Sequence, residues 1–449
     1  MSDYLFNEFQ ESSAAQWKQK IQVDLNGDDY NNTLLWKTDE GITVRPFYTK
    51  DDQTNTNINT PEKGFTICQS IYVEDAEKAN NFAIDSLKRG AKAIEFKAKI
   101  PFDYKILLKN IDVKNTLLYF NLKFLTADFV IELSTFINSK NCYFNIDLIG
   151  NLASTGNWFS HSSNGIKELK KIIEHSCNTI CINASIYQNA GATITQQLAY
   201  TLAHANEYLN YFGGKIANQI HFNFSVGSNY FFEIAKLRAF RILWEALLKE
   251  YDVVNNKAHV FVKPTSRNKT MYDYNVNMLR STSECMSAIL GGADTVSNIS
   301  YDDIFHHSNE FGERISRNQL LILQQEAELS EAQNFADGTY YIESITKQLS
   351  QNALVVFKTI EKGGGFLKQL KEGIVQRKIK DSSDKEQAKF DAGEIILIGS
   401  NKTANDKDIM SHNLSLFPFI KIRNDKTLIL PIIQKRLAEK LEQKRLGNE

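Results

Sequence analysis

Cysteine is scarce in this chain, an excess of either charge is missing, and long apolar runs do not occur. Five cysteines, Cys68, Cys142, Cys177, Cys181 and Cys285, are an odd and scattered set. That excludes a disulfide framework and predicts reduced thiols. Only Cys177 and Cys181 lie close together, and with no second His/Cys cluster beside them they read as buried thiols rather than a metal pair. The 52 basic and 53 acidic residues leave a formal net charge of -1, so nothing electrostatic draws the chain to nucleic acid or to an anionic membrane. No stretch reaches the roughly 18 apolar residues that span a bilayer. Met1-Ser2-Asp3-Tyr4 lacks the basic-then-apolar start of a signal peptide. The expected address is the cytoplasm.

What is present has the profile of a soluble globular protein, with 42% hydrophobic and 23% charged residues. Residues 1–60 read as an irregular arm in which Phe6, Phe9, Trp17, Tyr30, Trp36, Phe47 and Tyr48 are spread among polar residues. Aromatics with no helix or strand period predict an arm that buries its rings against something else. Disordered segments are poor in such residues. Residues 51–60, almost all Asn, Thr, Asp and Gln, predict a surface loop.

From residue 65 a rhythm sets in. Short β-branched and aromatic runs at 65–73, 91–98, 117–124, 142–149, 179–185, 219–226, 258–263 and 295–298 alternate with amphipathic stretches. The clearest of these helical patterns cover 193–211, 231–251, 276–290 and 310–329. Eight strand–helix units predict an α/β protein built as a (β/α)8 TIM barrel over residues 61–330. After Ser330 the rhythm stops. A helix over 344–361 ends at Gly363-Gly364-Gly365, which lacks the Lys-Ser/Thr of a phosphate loop and reads as a breaker. A short strand at 394–398 and a charged helix at 432–446 complete a C-terminal helical extension, 331–449, packed on the barrel.

Several motifs carry a resemblance. Trp36-Lys-Thr-Asp-Glu-Gly-Ile-Thr-Val-Arg-Pro-Phe-Tyr48, Gln188-Asn-Ala-Gly-Ala192 with Leu198-Ala-Tyr-Thr-Leu-Ala203, and Phe231-Phe-Glu-Ile-Ala-Lys-Leu-Arg-Ala239 come first in chain order. Asn277-Met-Leu-Arg-Ser-Thr282, Ala288-Ile-Leu-Gly-Gly292, Arg314-Ile-Ser-Arg-Asn-Gln319, Leu323-Gln-Gln-Glu326 and Gly338-Thr-Tyr-Tyr-Ile-Glu343 follow. In that order they resemble the methylmalonyl-CoA mutases, and in particular the small, non-catalytic type of subunit. The resemblance implies a barrel that takes acyl-CoA along its axis, followed by a cobalamin-binding domain with the signature Asp-x-His-x-x-Gly. None of the eight histidines has Asp two residues before it, and a further domain is not expected in the residues left. The family's Tyr-His pair before the Gln-Glu-Ala-Gly-Ala run falls here on Ser185 and Ile186. Its second histidine falls on Ser297, and its Arg-Gly and Thr-Met-Tyr cluster on Cys68-Gln-Ser-Ile-Tyr72. A positioned proton donor is typically worth about 10²–10⁴-fold in rate, and isoleucine cannot donate at all.

The resemblance therefore implies a degenerate active site, with Ser185, Ile186, Gln188 and Ser297 at its positions and Gln188 retained from the motif. It implies no catalytic, metal or cofactor residue in this chain, adenosylcobalamin held by a large (alpha) subunit, and a heterodimer with that subunit through the 1–60 arm. The alternative is the barrel of a split acyl-CoA mutase served by a separate cobalamin-binding chain. An unrelated barrel hydrolase or lyase is disfavoured because no nucleophile–base or ligand set emerges. His306-His307 reads as an exposed loop pair, and Glu233, Lys236 and Arg238 as structural ion pairing at helical spacing.

Strand alternation adds one more expectation. Ile94, Phe96, Leu118, Phe120, Leu122, Phe144, Ile146, Ile180, Ile182, Phe222, Phe224, Val260 and Val262 share the face that must meet the helices. Glu95, Lys97, Asn121, Lys123, Asn145, Asp147, Asn183, Ser185, His221, Asn223, His259 and Lys263 then point inward. The family's barrel carries small polar residues there, with serines where this chain has Cys181 and Asn183. The larger groups predict a hydrogen-bonded, ion-paired plug instead of a passage, with Glu95 or Asp147 pairing the lysines.

Overall fold

The computed structural model describes residues 8–53, 58–62, 64–159, 162–332, 334–420 and 425–449; Phe6 of the arm lies outside them. Eight parallel strands form the centre: β1 (Thr66–Tyr72), β2 (Ala93–Ala98), β3 (Leu117–Leu122), β4 (Cys142–Phe144), β5 (Ile180–Asn183), β6 (Ile220–Val226), β7 (Val260–Pro264) and β8 (Thr295–Val296). Their order is β4-β3-β2-β1-β8-β7-β6-β5, and a parallel bridge between Ile146 and Ile180 joins the two edges. The ring is closed: this is a (β/α)8 barrel.

A helix follows every strand: α1 (Ala76–Lys88), α2 (Tyr104–Leu107), α3 (Ala127–Ile137), α4 (Ser162–His175), α5 (Ile194–Phe212), α6 (Tyr230–Lys249), α7 (Val276–Leu290) and α8 (Glu310–Leu321). The apolar strand face meets them as alternation requires. Phe96, Phe120 and Phe144 sit side by side on three neighbouring strands, their rings stacked at 5.8 and 5.6 Å and fully buried. At about 25 cal/mol per Å² of apolar surface, each such ring is worth on the order of 2–3 kcal/mol.

Several boundaries differ from the sequence reading, each for a local reason. The strand expected over 179–185 stops at Asn183, because Ser185 opens a short helix, Ser185–Asn189. The strand expected over 142–149 stops at Phe144, because the Asp147 carboxylate accepts from Gly150 N (2.7 Å) and caps a helix, Leu148–Thr155. α8 gives way at Leu321 to a π turn, Ile322–Glu326. Residues 394–398 form no strand; they fold around the Asn401 amide, which accepts from Leu397 N (2.8 Å) and donates to Ile395 O (2.7 Å). The helix expected over 432–446 starts only at Glu439, as α12 (Glu439–Leu446), after α9 (Tyr340–Lys362), α10 (Phe366–Lys371) and α11 (Ile374–Asp391). Ahead of α12 the backbone is committed elsewhere: Ile432 N donates to Ala153 O (2.7 Å) and Leu437 N to Arg267 O (2.8 Å).

The triple glycine turns α9 into α10. Gly365 has φ +92°, and a Cβ there would stand 2.7 Å from Glu207 Oε1, so only glycine fits.

The arm is more regular than its sequence suggested. Ser13 and Gln16 form a reciprocal capping box at the start of a helix, Ala14–Asp24, none of whose residues is buried. Tyr30, by contrast, is buried. A two-stranded hairpin, Trp36–Lys37 with Thr43–Val44, follows. Trp36 stands edge-on to Phe232 of α6 at 5.8 Å. At the hairpin tip the Glu40 carboxylate accepts from Ile194 N (2.7 Å) and Thr195 N (2.6 Å), the orphan donors at the start of α5. Glu40→Ala should therefore lower stability by about 1–2 kcal/mol, the usual worth of a helix cap, read as a shift in the urea midpoint at unchanged slope.

Candidate functional site

The barrel interior is where the inward strand residues converge. β3 and β7 are four positions apart in a ring of eight, so contacts between them cross the axis. Tyr119 of β3 makes two such contacts: its hydroxyl lies 2.6 Å from His259 Nε2, and its ring lies 4.8 Å from that of Phe261 of β7. A third bond, 2.8 Å, joins the hydroxyl to Thr295 Oγ1. Tyr143 stacks on His259 at 4.3 Å, and His221 Nε2 meets Asn145 Oδ1 at 2.9 Å. Tyr119, His221 and Phe261 are almost wholly buried. This is an aromatic layer across the lower barrel. Burial pushes the Tyr119 phenol well above its ordinary range and holds His221 well below its own, so both are neutral.

Toward the C-terminal ends of the strands lies an ionic layer. Lys263 Nζ contacts Glu95 of β2 and donates to Ser70 Oγ (2.9 Å). Ser70 Oγ donates to Glu95 Oε2 (2.5 Å) and lies 3.1 Å from Ser297 Oγ. Asn121 Nδ2 donates to Glu95 Oε1 (3.3 Å), and Lys97 Nζ sits 3.9 Å from Glu95 Oε2. Burial alone would raise the Glu95 pKa, but the Lys263 and Lys97 charges and two hydrogen bonds hold it at about 2. Burial wins at Lys263, whose ammonium drops to about 8 despite its carboxylate partner.

The sequence placed twelve polar residues inward, and the structure corrects the part given to Asp147. Its carboxylate turns out toward α5. Asp147 Oδ1 lies 2.9 Å from His204 Nε2 and accepts from the Tyr208 hydroxyl (3.1 Å), while Oδ2 accepts from Asn183 N (3.0 Å). It pairs no lysine, and Lys123 has no carboxylate within ion-pair distance among the described residues. The aromatic layer was also missed, although Tyr119 and Tyr143 share strand parity with Asn121 and Asn145, which was signal enough.

The four positions that the resemblance reads as degenerate do not form one cluster. Ser297 belongs to the ionic layer. Ser185 donates to Asn183 Oδ1 (2.5 Å), and Ile186 is buried beside a small recess at the barrel mouth. Gln188 sits apart, donating to Glu233 Oε1 (2.8 Å) and accepting from Lys236 Nζ (2.9 Å). Lys236 also contacts Glu233 and donates to Ser225 O (2.7 Å) and Gln197 Oε1 (3.1 Å), and Arg238 pairs Asp337 at 2.8 Å. Every donor of Lys236 is met, as structural pairing requires. Above Gln188 and Glu233 opens a cleft of about 860 Å³, walled by the hairpin, the loops after β5 to β7, and α11.

Residues 141–443 match the methylmalonyl-CoA mutase profile. The chain is 30% identical to the methylmalonyl-CoA mutase small subunit of Porphyromonas gingivalis, over 99% of its own length and 78% of that protein's. The chain belongs to the methylmalonyl-CoA mutase family. It is also 27% identical to a methylmalonyl-CoA mutase of Rhizobium meliloti, over 82% of this chain and 61% of that one. With the Escherichia coli mutase the identity is 31%, over 57% of this chain and 37% of that one. It thus spans under two thirds of those two relatives. In its described residues no helix is long and apolar enough to cross a membrane, and no group of three metal-ligating side chains gathers. Cys181 lies inside the barrel, next in register to His221, while Cys177 sits half-exposed ahead of β5.

Cobalamin is typical of this mutase family; four of the described histidines are engaged within the fold. His204 has both ring nitrogens engaged, by Asp147 and by the Tyr187 hydroxyl (2.9 Å). His221 and His259 are locked in the barrel. His306 is held between Asp302 Oδ2 and Asn413 Oδ1, each at 3.1 Å, whereas His307 is exposed.

The ionic layer makes a pH prediction. Glu95 titrates at an ordinary 4.5 when unfolded and at about 2 when folded, so its contribution is complete above pH 4.5 and vanishes as pH falls toward 2. Glu95→Gln should flatten that acid limb in a pH series of denaturation curves. At pH 7 it should cost about 3–5 kcal/mol, because Lys263 is left buried without its partner.

Proposed function

We propose that this chain is a small, non-catalytic subunit of an adenosylcobalamin-dependent methylmalonyl-CoA mutase. In this reading a large partner subunit carries cobalamin and the interconversion of methylmalonyl-CoA and succinyl-CoA. The observation that carries the reading is the crossed axis. Tyr119 with His259 and Phe261 joins opposite walls of the barrel, and Glu95 with Lys263 bridges strands three places apart, along the line an acyl-CoA would follow. Ser185, Ile186 and Ser297 at the degenerate positions support it further, since neither an aliphatic side chain nor two serines engaged with neighbours replaces an imidazole donor. A barrel working with a separate cobalamin-binding chain would need those donors. The soluble heterodimer fits a cytoplasmic setting.

The chain's own residues then have a scaffolding task. The arm presents Phe9, Trp17 and Trp36 with half or more of each surface exposed. Aromatics of that kind are the usual anchors of an interface, and an obligate one buries on the order of 2,000 Å² or more.

Two outcomes are expected. Purified alone and supplied with adenosylcobalamin, the chain should show no turnover of methylmalonyl-CoA in a coupled assay for succinyl-CoA; turnover would remove the reading. Truncation of residues 1–28, which stops short of the buried Tyr30, should abolish co-purification with the large subunit. The barrel should stay folded, with circular dichroism losing only the signal of one exposed helix and melting shifting little, because no residue of Ala14–Asp24 is buried and its packing is peripheral, Trp17 on Phe47 and Lys18 over Tyr30.

A further inference from the structure

A recess of about 50 Å³ opens at the barrel mouth between β3, β4, β5 and β6, lined among others by Lys123, Asn145, Asp147, Asn183 and Asn223. A single water needs about 10–15 Å³ of such space, so a four-oxygen anion fits where several waters would. Two of its amides have unmet hydrogen-bonding capacity. Asn145, 8% exposed, accepts from His221 through Oδ1, which leaves its Nδ2 donor without a partner. Asn223 Oδ1 is a buried acceptor without a partner. An unmet buried polar group is costly, and a bound group that meets it returns that cost.

Among the residues that line the recess, Lys123 is the one cation and Asp147 the one carboxylate; Glu95, Lys97 and Lys263 belong to the neighbouring ionic layer, with Asp303 near Lys97. Glu95 is occupied by Lys263 and Ser70, and Asp147 by Gly150 N, Asn183 N, His204 and Tyr208. Lys123 is the cation left over.

We propose that this recess binds a singly charged oxyanion that carries an O–H of its own. Lys123 and the Asn145 amide would hold the oxyanion, and the Asn223 carbonyl would accept from the hydroxyl. Dihydrogen phosphate and a small 2-hydroxycarboxylate share that chemistry. Sulfate and acetate lack the O–H. Its test needs neither the partner subunit nor mutase turnover.

Isothermal titration of the full chain at pH 6.5 and fixed ionic strength, with phosphate, glycolate, sulfate and acetate in turn, tests it. Phosphate and glycolate should bind at least tenfold more tightly than sulfate and acetate. Lys123→Met should weaken both by tenfold or more, with an unchanged melting temperature in the absence of ligand. Asn223→Ala should erase the preference of phosphate over sulfate, and because it truncates a semi-buried side chain, melting of the free variant reports its folding separately. Response to phosphate but not glycolate would assign a phosphate source, and the reverse a carboxylate. Equal binding of phosphate and sulfate, or binding that survives Lys123→Met, would mean an adventitious ion only. No heat from any of the four would mean water fills the recess. Either result overturns the proposal.

Discussion

A carboxylate in the middle of a closed barrel stays ionised only if cations and hydrogen-bond donors reach it from the surrounding strands. Glu95 meets that condition through Lys263, Lys97, Ser70 and Asn121, drawn from β7, its own strand, β1 and β3. Most (β/α)8 barrels fill this space with branched apolar side chains. Here the helices claim the apolar strand face, so the polar face has nowhere else to go. Once it is inside, every charge needs a partner, because an unpaired buried ion costs several kcal/mol. The Glu95–Lys263 contact ties strands three places apart in the ring.

The aromatic layer below it follows from the same geometry. Side chains of opposite strands point at one another across a narrow axis. Two tyrosines, two histidines and Phe261 fill that width through ring contacts, with the Tyr119 hydroxyl and the Asn145 amide meeting Nε2 of each imidazole. Burial keeps His221 neutral, so no charge needs compensation in this layer. The division is physical: ions near the open mouth, where solvent helps them, and neutral rings where it cannot.

The C-terminal segment shares the barrel's apolar core through Ile345, Leu349, Phe366, Leu370 and Ile379, and polar bonds tie it down further. Arg267, on the loop after β7, donates to Lys435 O (2.9 Å) and Ser383 Oγ (3.0 Å) and pairs Glu386 at 2.6 Å. Arg436 donates to Lys269 O (3.1 Å) and pairs Glu442 at 2.5 Å. Ile432 N, Lys435 N and Leu437 N donate to Ala153 O, Asn189 O and Arg267 O, which explains why residues 432–437 are not helical despite their composition. Backbone donors given to barrel loops are not available to an i→i−4 ladder.

By itself the sequence determined the barrel. Eight apolar-alternating runs separated by amphipathic stretches leave little choice of architecture, and strict period 2 decides which face of each strand is polar. It also determined the family, through motifs in order from Trp36 to Glu343. Only the tertiary structure decided where partners come from, because pairing across a ring joins residues as far apart as Ser70 and Ser297. That is why Asp147, inward by strand parity, turns its carboxylate toward α5 at the barrel mouth: the chain leaves β4 at Phe144, before it reaches Asp147, and a helix start, His204 and Tyr208 engage the carboxylate in place of Lys123. The scatter of Ser185, Gln188 and Ser297 into separate surroundings has the same cause, since neighbours in a motif need not face one cavity once a strand gives way to a helix between them.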